Sequence, residues 1–401
     1  MPAIIFVFLV ILLQRANTNL IQSINPLFVR YVLDKNLFYV GITTAVYAVS
    51  TIAVRYLISI RIKPQAVSKF VIVGLLLFSA AILGYFFSTN YAEFLIFVVI
   101  SGFATAIIMP FLLSLVHLVS EKSTIEKNLT IYSLMLSLAL VFGPLLSSAL
   151  LTVLPIRWIY IMLSIFGITA FFFALKIHLK SKSVIKEKFS EKLDVQDSNI
   201  NSKKSVKGGS VSSLFKNRGF LEIIFYNTSF SIAFASVVAL GGVFARDNFH
   251  LKYFEITLLF SLFFISSLIT RLILLYFTKK ANIKNKTKIL NISILISVLS
   301  FALMVFSKNI GFYAFGLIIF GIPHALIFPI GTMRISETVD MKDMVAANTI
   351  YQSNFDLGGI IGPFFLSYIA GIYSIRFVFG IITVFLIAVF AAGKYIMSKS
   401  S

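Results

Sequence analysis

Apolar residues run in blocks of about twenty from one end of the chain to the other, separated by short polar or charged breaks. Twelve such blocks are predicted: 3–29, 37–59, 66–88, 91–118, 128–154, 156–178, 218–244, 251–278, 286–307, 309–335, 344–372 and 374–397. Each is long enough, as a helix, to cross ~30 Å of hydrocarbon. Backbone N–H and C=O groups in lipid have no water to bond, which leaves helices or closed barrels. Barrel strands would be about ten residues long and alternate in polarity. These blocks do not alternate, so the pattern predicts an all-α integral membrane protein with twelve transmembrane helices.

The blocks also repeat. Gly102, Ala106 and Pro110 recur 219 positions later as Gly321, Ala325 and Pro329. Thr130-Ile131-Tyr132 recurs as Thr349-Ile350-Tyr351, and Gly143-Pro144 and Arg157 recur as Gly362-Pro363 and Arg376. A constant offset means equal helix and loop lengths, hence one six-helix unit used twice. That organisation is expected of a transporter whose halves face each other across a substrate path. The expected halves are 1–178 and 216–401. A Lys- and Ser-rich stretch, 179–215, has too little apolar surface to fold by itself and is read as a flexible basic linker.

Composition agrees with the pattern. Mean hydropathy is +0.96, with 59% hydrophobic and only 12% charged residues, against about a quarter charged in soluble globules. Placing both termini in the cytoplasm puts most of the 35 Lys and Arg on the even-numbered junctions and the C-terminal tail, as the positive-inside rule requires. This distribution accounts for the +20 net charge without a nucleic-acid partner, and lipid headgroups are natural neighbours of the basic linker. Residues 3–13 have no basic stretch before them and no small-residue cleavage site after them, so helix 1 is expected to be retained. With 0 Cys, disulfides and thiolate metal sites are excluded. There is no Gly-rich phosphate loop and no catalytic constellation, so no enzyme activity, cofactor or metal is expected, and ATP is not the driver.

Polar groups at mid-depth are costly in hydrocarbon and mark candidate function. Helix 1 carries Gln14, Arg15, Thr18, Asn19, Gln22 and Asn25, several at spacings of three and four and so on one face. Such a face is expected to line water or ligand. Helix 11 carries Gln352 and Asp356, four apart on a face with Gly359 and Pro363. Asp356 is read as the one acid deep in a segment, since Glu93, Glu222 and Glu255 lie near ends. Arg15 and Asp356 each lie a dozen residues in, about 18 Å deep at 1.5 Å per residue, which permits an ion pair between the halves. His324 in helix 10 reaches similar depth between Pro323 and Pro329, which can unwind a helix around a site. Asn227, Thr228 and Ser231 form a milder polar patch in helix 7.

Twelve helices in two repeats resemble the major facilitator superfamily, and local motifs carry the resemblance further. Leu140-Val141-Phe142-Gly143-Pro144-Leu145-Leu146-Ser147-Ser148 looks like that family's helix-5 Gly-Pro motif. Arg157-Trp158 and Arg376-Phe377 resemble its Arg-aromatic starts of helices 6 and 12. The loop after helix 2 departs from the family pattern: counting from Arg55, Ser59 stands in the Gly place and Lys63 in the Asp place. Arg271, Leu275 and Lys279 show the same loss in the second half. Arg55 and Arg271 are therefore expected to bond helix-end carbonyls or to reach headgroups.

The resemblance implies a monomeric secondary transporter of the cell membrane working by alternating access. Helices 1, 4, 7 and 10 would form the cavity walls; with no ATP site, a gradient is expected to supply the energy, or transport is passive, and Asp356, read as the sole buried acid, is expected to be the group that takes up a proton. It associates the helix-5 motif with efflux of small organic molecules. An organic-anion carrier with Arg15 as the binding cation is a second expectation, and a non-transporting receptor or scaffold of the same fold a third.

Overall fold

The computed structural model describes residues 3–59, 66–121, 125–197, 214–280, 285–339 and 344–398. Among these residues there is no strand, and twelve helices are long and apolar enough to cross a membrane. They are α1 (Ala3–Tyr31), α2 (Leu37–Ser59), α3 (Val67–Phe87), α4 (Tyr91–Val119), α5 (Ile125–Leu151) and α6 (Ile159–Asp197). The second series begins with α7 (Arg218–Phe249), which contains a π-helical turn at Val237–Gly241. It continues with α8 (Tyr253–Lys280), α9 (Lys286–Val305), α10 (Ile310–Thr338), α11 (Met344–Ile372) and α12 (Ile375–Ser398).

Several helices start where a side chain supplies the missing backbone acceptor. Asn90 accepts from the Glu93 N–H at 3.0 Å, Asn217 from Phe220 at 3.1 Å and Asn309 from Phe312 at 3.1 Å. Each opens its helix, as N-cap asparagines do. Among the described residues, six prolines lie inside helices. None breaks its helix: α10 is continuous through Pro323 and Pro329, so the expected unwinding around His324 does not occur. Each proline removes one intrahelical bond, and hydroxyls such as Thr332 Oγ1 take up carbonyls nearby, here Pro329 O at 2.8 Å.

Contacts divide the chain into two compact units, Met1–Ile21 with Val49–Val206, and Gln22–Ala48 with Lys207–Ser401. In this division the hairpin made by the second part of α1 and the first part of α2 lies in the second unit. The 179–215 stretch is described only in part. It is helical as far as Asp197, because Lys and Glu are good helix formers; residues 198–213 lie outside the described residues.

Within the first unit, α3 packs against α4 and α6; within the second, α9 packs against α10 and α12. The repeat extends to single hydrogen bonds. Arg157 Nη1 donates to Phe86 O at 2.8 Å and Ser88 O at 2.7 Å, while Arg376 Nη1 donates to Val305 O at 2.7 Å and Ser307 O at 2.9 Å. Each arginine gathers carbonyls orphaned at a helix C-terminus, that of α3 for Arg157 and that of α9 for Arg376.

Candidate functional site

In the second unit α7 and α11 form a close seam. Asn227, fully buried, donates its Nδ2 to Tyr351 O at 2.9 Å; Thr228 Oγ1 donates to Asn354 Oδ1 at 3.3 Å; Ser231 Oγ donates to Phe355 O. Glycines allow the approach. A Cβ on Gly358 would collide with Ser231 Oγ, and one on Gly362 would lie 2.7 Å from Ile232 O. The neighbouring residue of the Gly-Pro pair faces another helix: Pro363 O leaves no room for a Cβ on Gly41 of α2. Gly143 of α5 sits likewise against α1 in the first unit, where a Cβ would lie 3.0 Å from Ala16 O.

This seam sorts the polar residues of α7 and α11. Asn227 and Ser231 are turned into it, whereas Gln352 is exposed and Asp356 half-buried on the adjoining face of α11. Residues 351, 355, 358 and 362 therefore hold the helix in place, and residues 352 and 356, one position on, stay accessible.

His324 is turned into an aromatic core. It is 9% exposed, its Nδ1 lies 2.9 Å from Ser267 Oγ, and its ring centroid is 4.7 Å from Phe234 and 5.1 Å from Phe263. The small patch of unit-one residues on α1 divides in the same way. Asn17 Nδ2 donates to Leu163 O at 3.1 Å, tying α1 to α6. Gln14 is fully buried, with neither amide atom partnered among the described residues. Asn19 is buried, and Arg15 is half-buried within electrostatic reach of the Tyr132 phenol on α5. Of the remaining α1 residues, which belong to the second unit, Gln22 is half-buried and Asn25 buried. Arg55 and Arg271 are half-buried within α2 and α8. The altered loop after α2, with Lys63, lies outside the described residues.

The hairpin of the second unit makes its own polar contacts. Tyr31 OH donates to Asp247 Oδ1 at 2.6 Å, and the Arg246 guanidinium lies over the Tyr31 ring at 4.7 Å and the Tyr253 ring at 4.2 Å. Phe38 packs on Phe364 and Tyr368 of α11. Just before Arg246, the π-helical turn of α7 is steadied by Tyr313 OH, which donates to Gly241 O at 2.8 Å. Such turns often accompany functional sites in helices.

Sequence position gave a misleading view of one acid. Glu222 lies only a turn into α7, yet it is 7% exposed and its Oε1 is buried without a partner among the described residues. Arg334 of α10 is the cation close enough to act on it. The aromatic residue four positions on, Tyr226, donates its OH to Asn291 Oδ1 at 2.5 Å. No local signal marks Glu222, because the charge that acts on it, Arg334, comes from another helix, α10.

A family profile described as Major Facilitator Superfamily matches residues 7–363 and, in a second match, 285–399. Among solved structures, the nucleoside transporter NupG is similar with a TM-score of 0.79 at 13% identity, over 99% of this chain and 99% of that one. The peptide transporter POT in complex with sulfate is similar with a TM-score of 0.78 at 12% identity, over 98% and 94%. A bacterial homolog of the human lysosomal transporter Spinster, inward-facing and occupied, is similar with a TM-score of 0.72 at 12% identity, over 98% and 96%. At such identities the likeness shows the fold. No curated protein matches significantly in sequence.

Proposed function

The chain belongs to the major facilitator superfamily, and on that premise we propose that this multi-pass secondary transporter, which is not an enzyme, exports a small organic molecule in exchange for protons. It sits in the cell membrane as a monomer with both termini cytoplasmic, and residues 1–178 and 216–401 alternate access to a midplane site. The observation that carries the reading is Asp356. It is an acid in the apolar span Ile350–Ile372, half-buried beside exposed Gln352, on a helix whose other face is fastened by Asn227, Ser231, Gly358 and Gly362. A carboxyl held there by a rigid neighbour changes its charge without moving its helix far. Arg15, at matching depth in α1, is its partner in one state of the cycle, and protonation of Asp356 releases the pair. Gln22, Asn19 and Asn25 complete the polar wall; His324 shapes it from behind.

The test is proton flux in proteoliposomes carrying an internal pH dye, challenged with cationic amphipathic drugs and neutral solutes. Wild type is expected to move protons on addition of its substrate and Asp356→Asn to lose that response. A variant that keeps the full pH-gradient dependence overturns the reading.

Half-exposed Arg15 beside Tyr132 favours a second reading, an organic-anion carrier. A ligand at a hundred times its dissociation constant stabilises a fold by ~2.7 kcal/mol. Thermal stabilisation by organic anions that disappears in Arg15→Gln would establish this reading in place of the first.

A further inference from the structure

The two repeats differ beside their arginine staples, Arg157 and Arg376. Around Arg376 an open groove of about 630 Å³ is lined by Val305, Phe377, Gly380, Ile381 and Val384. Nothing lies within 4 Å of a Cβ placed on Gly380, and Phe377 and Val384 are exposed. The equivalent positions of the first repeat, 219 residues earlier, hold larger side chains: Phe86 for Val305, Trp158 for Phe377, Ile161 for Gly380 and Ile165 for Val384. There Phe86 and Trp158 pack edge to face with centroids 5.3 Å apart. The same arginine staple thus borders an aromatic contact in one repeat and a groove in the other.

Arg376 gives the groove a polar head. Its Nη1 is used by Val305 O and Ser307 O, and one Nη2 hydrogen points to Asn248 Oδ1 at 3.5 Å. Its Nε–H and second Nη2 hydrogen have no acceptor among the described residues, and the guanidinium rests 5.3 Å from the Phe244 ring centre. Free donors on a planar cation match the oxygens of a phosphate. They stand at the start of α12, just above an apolar trough running along that helix. Lys308, next to Ser307, lines another apolar groove of about 410 Å³ beside the α9–α10 turn and adds positive charge at that end of α9.

We propose that this groove is a phospholipid-binding site: Arg376 holds the phosphate and an acyl chain lies along Gly380 toward Val384. The occupant is a bilayer lipid because the groove opens on the exterior of helices that span the membrane, and because a phosphodiester with a hydrocarbon tail satisfies both of its ends. The bound lipid takes the place that the Phe86–Trp158 contact holds in the other repeat, so it packs α9 against α12 beside the staple. The site stands apart from the proposed substrate path and does not rest on Asp356 or Arg15.

The experiment is native mass spectrometry of the full chain released from detergent, titrated with phosphatidylglycerol and, separately, with a diacylglycerol of the same chains. Wild type is expected to carry a tightly held phosphatidylglycerol that diacylglycerol does not displace. Val305→Phe combined with Gly380→Ile rebuilds the filled repeat, leaves Arg376 intact, and is expected to abolish that adduct. Arg376→Gln removes the two phosphate-facing donors and is expected to weaken binding about tenfold or more, the equivalent of one charge-assisted hydrogen bond. Should the filled variant retain phosphatidylglycerol as wild type does, or diacylglycerol compete equally, the proposal fails. Because Gly380 faces open space, the filled variant folds even if Arg376→Gln does not, and circular dichroism checks both.

Discussion

Replacing Gly362 by alanine puts a methyl carbon 2.7 Å from Ile232 O and 3.1 Å from Ser236 Oγ, whereas the same change at Gly143 puts one 3.0 Å from Ala16 O. Carbon–oxygen contacts of this kind settle at about 3.3 Å, so the helices must part by roughly 0.6 Å at Gly362 and roughly 0.3 Å at Gly143. Overpacking by one carbon costs about 1–3 kcal/mol, and alanine returns about 1 kcal/mol of helix propensity over glycine. The two terms leave Gly362→Ala destabilised by up to about 2 kcal/mol and Gly143→Ala close to neutral. The difference matters because the strain at Gly362 falls on the seam that carries the Asn227 and Ser231 bonds to α11. Parting α7 from α11 lengthens those bonds, so Ser231→Ala should cost less in a Gly362→Ala background than alone. Far-UV circular dichroism melting of wild type and these variants in one detergent measures both effects. Equal shifts for the two glycine variants, or a larger loss at Gly143, would refute the reasoning, since the motif alone does not distinguish them.

Two further predictions concern the ends of the helices. Glu337, beyond the apolar span of α10, is held below its ordinary carboxyl value of 4.5 first by a hydrogen bond from Lys286 and then by the charges of Lys286 and Arg334. A lowered folded pKa gives stability that is full above the ordinary value and lost as pH falls through the lowered one. The side chain is 42% exposed, so the contribution is well below about 1 kcal/mol. The melting gap between wild type and Glu337→Gln should be small, constant at neutral pH and closed in acid; a gap that widens in acid contradicts the sign. At the other end, Tyr31→Phe removes the 2.6 Å bond to Asp247 while leaving the ring under Arg246. With 0 cysteines in the chain, a single Leu27→Cys, buried against Gly242, reports opening of this hairpin. Maleimide labelling should quicken in the Tyr31→Phe background, and unchanged rates would show that the bond does not hold the hairpin closed.

Hydropathy placed all twelve helices because the cost of exposing backbone to lipid falls locally, on each run of about twenty residues. The repeat, too, was legible, and its constant offset carried over to the bonds: Arg157 and Arg376 recur in sequence because each collects the same pair of helix-end carbonyls. Depth of the polar residues could also be counted off at about 1.5 Å per residue. Direction around the helix axis could not. Asn227, Ser231 and His324 look like cavity residues in one dimension, yet in space their polar atoms meet Tyr351 O, Phe355 O and Ser267. Gln352 and Asp356, with the same periodicity, remain accessible. Glu222 escaped notice because nearness to a helix end says nothing about what packs over it.

The chain by itself determined that this protein is a bundle of membrane-spanning helices built from a duplicated unit, because apolar length and a fixed repeat offset are properties of the string. Only the tertiary structure decided which polar groups fasten helices and which face outward, that residues 22–48 join the second unit, and that a groove lies beside Gly380 where the other repeat packs Phe86 on Trp158. Those outcomes depend on which neighbour meets each face, and in lipid a polar atom is satisfied by whatever helix lies across from it.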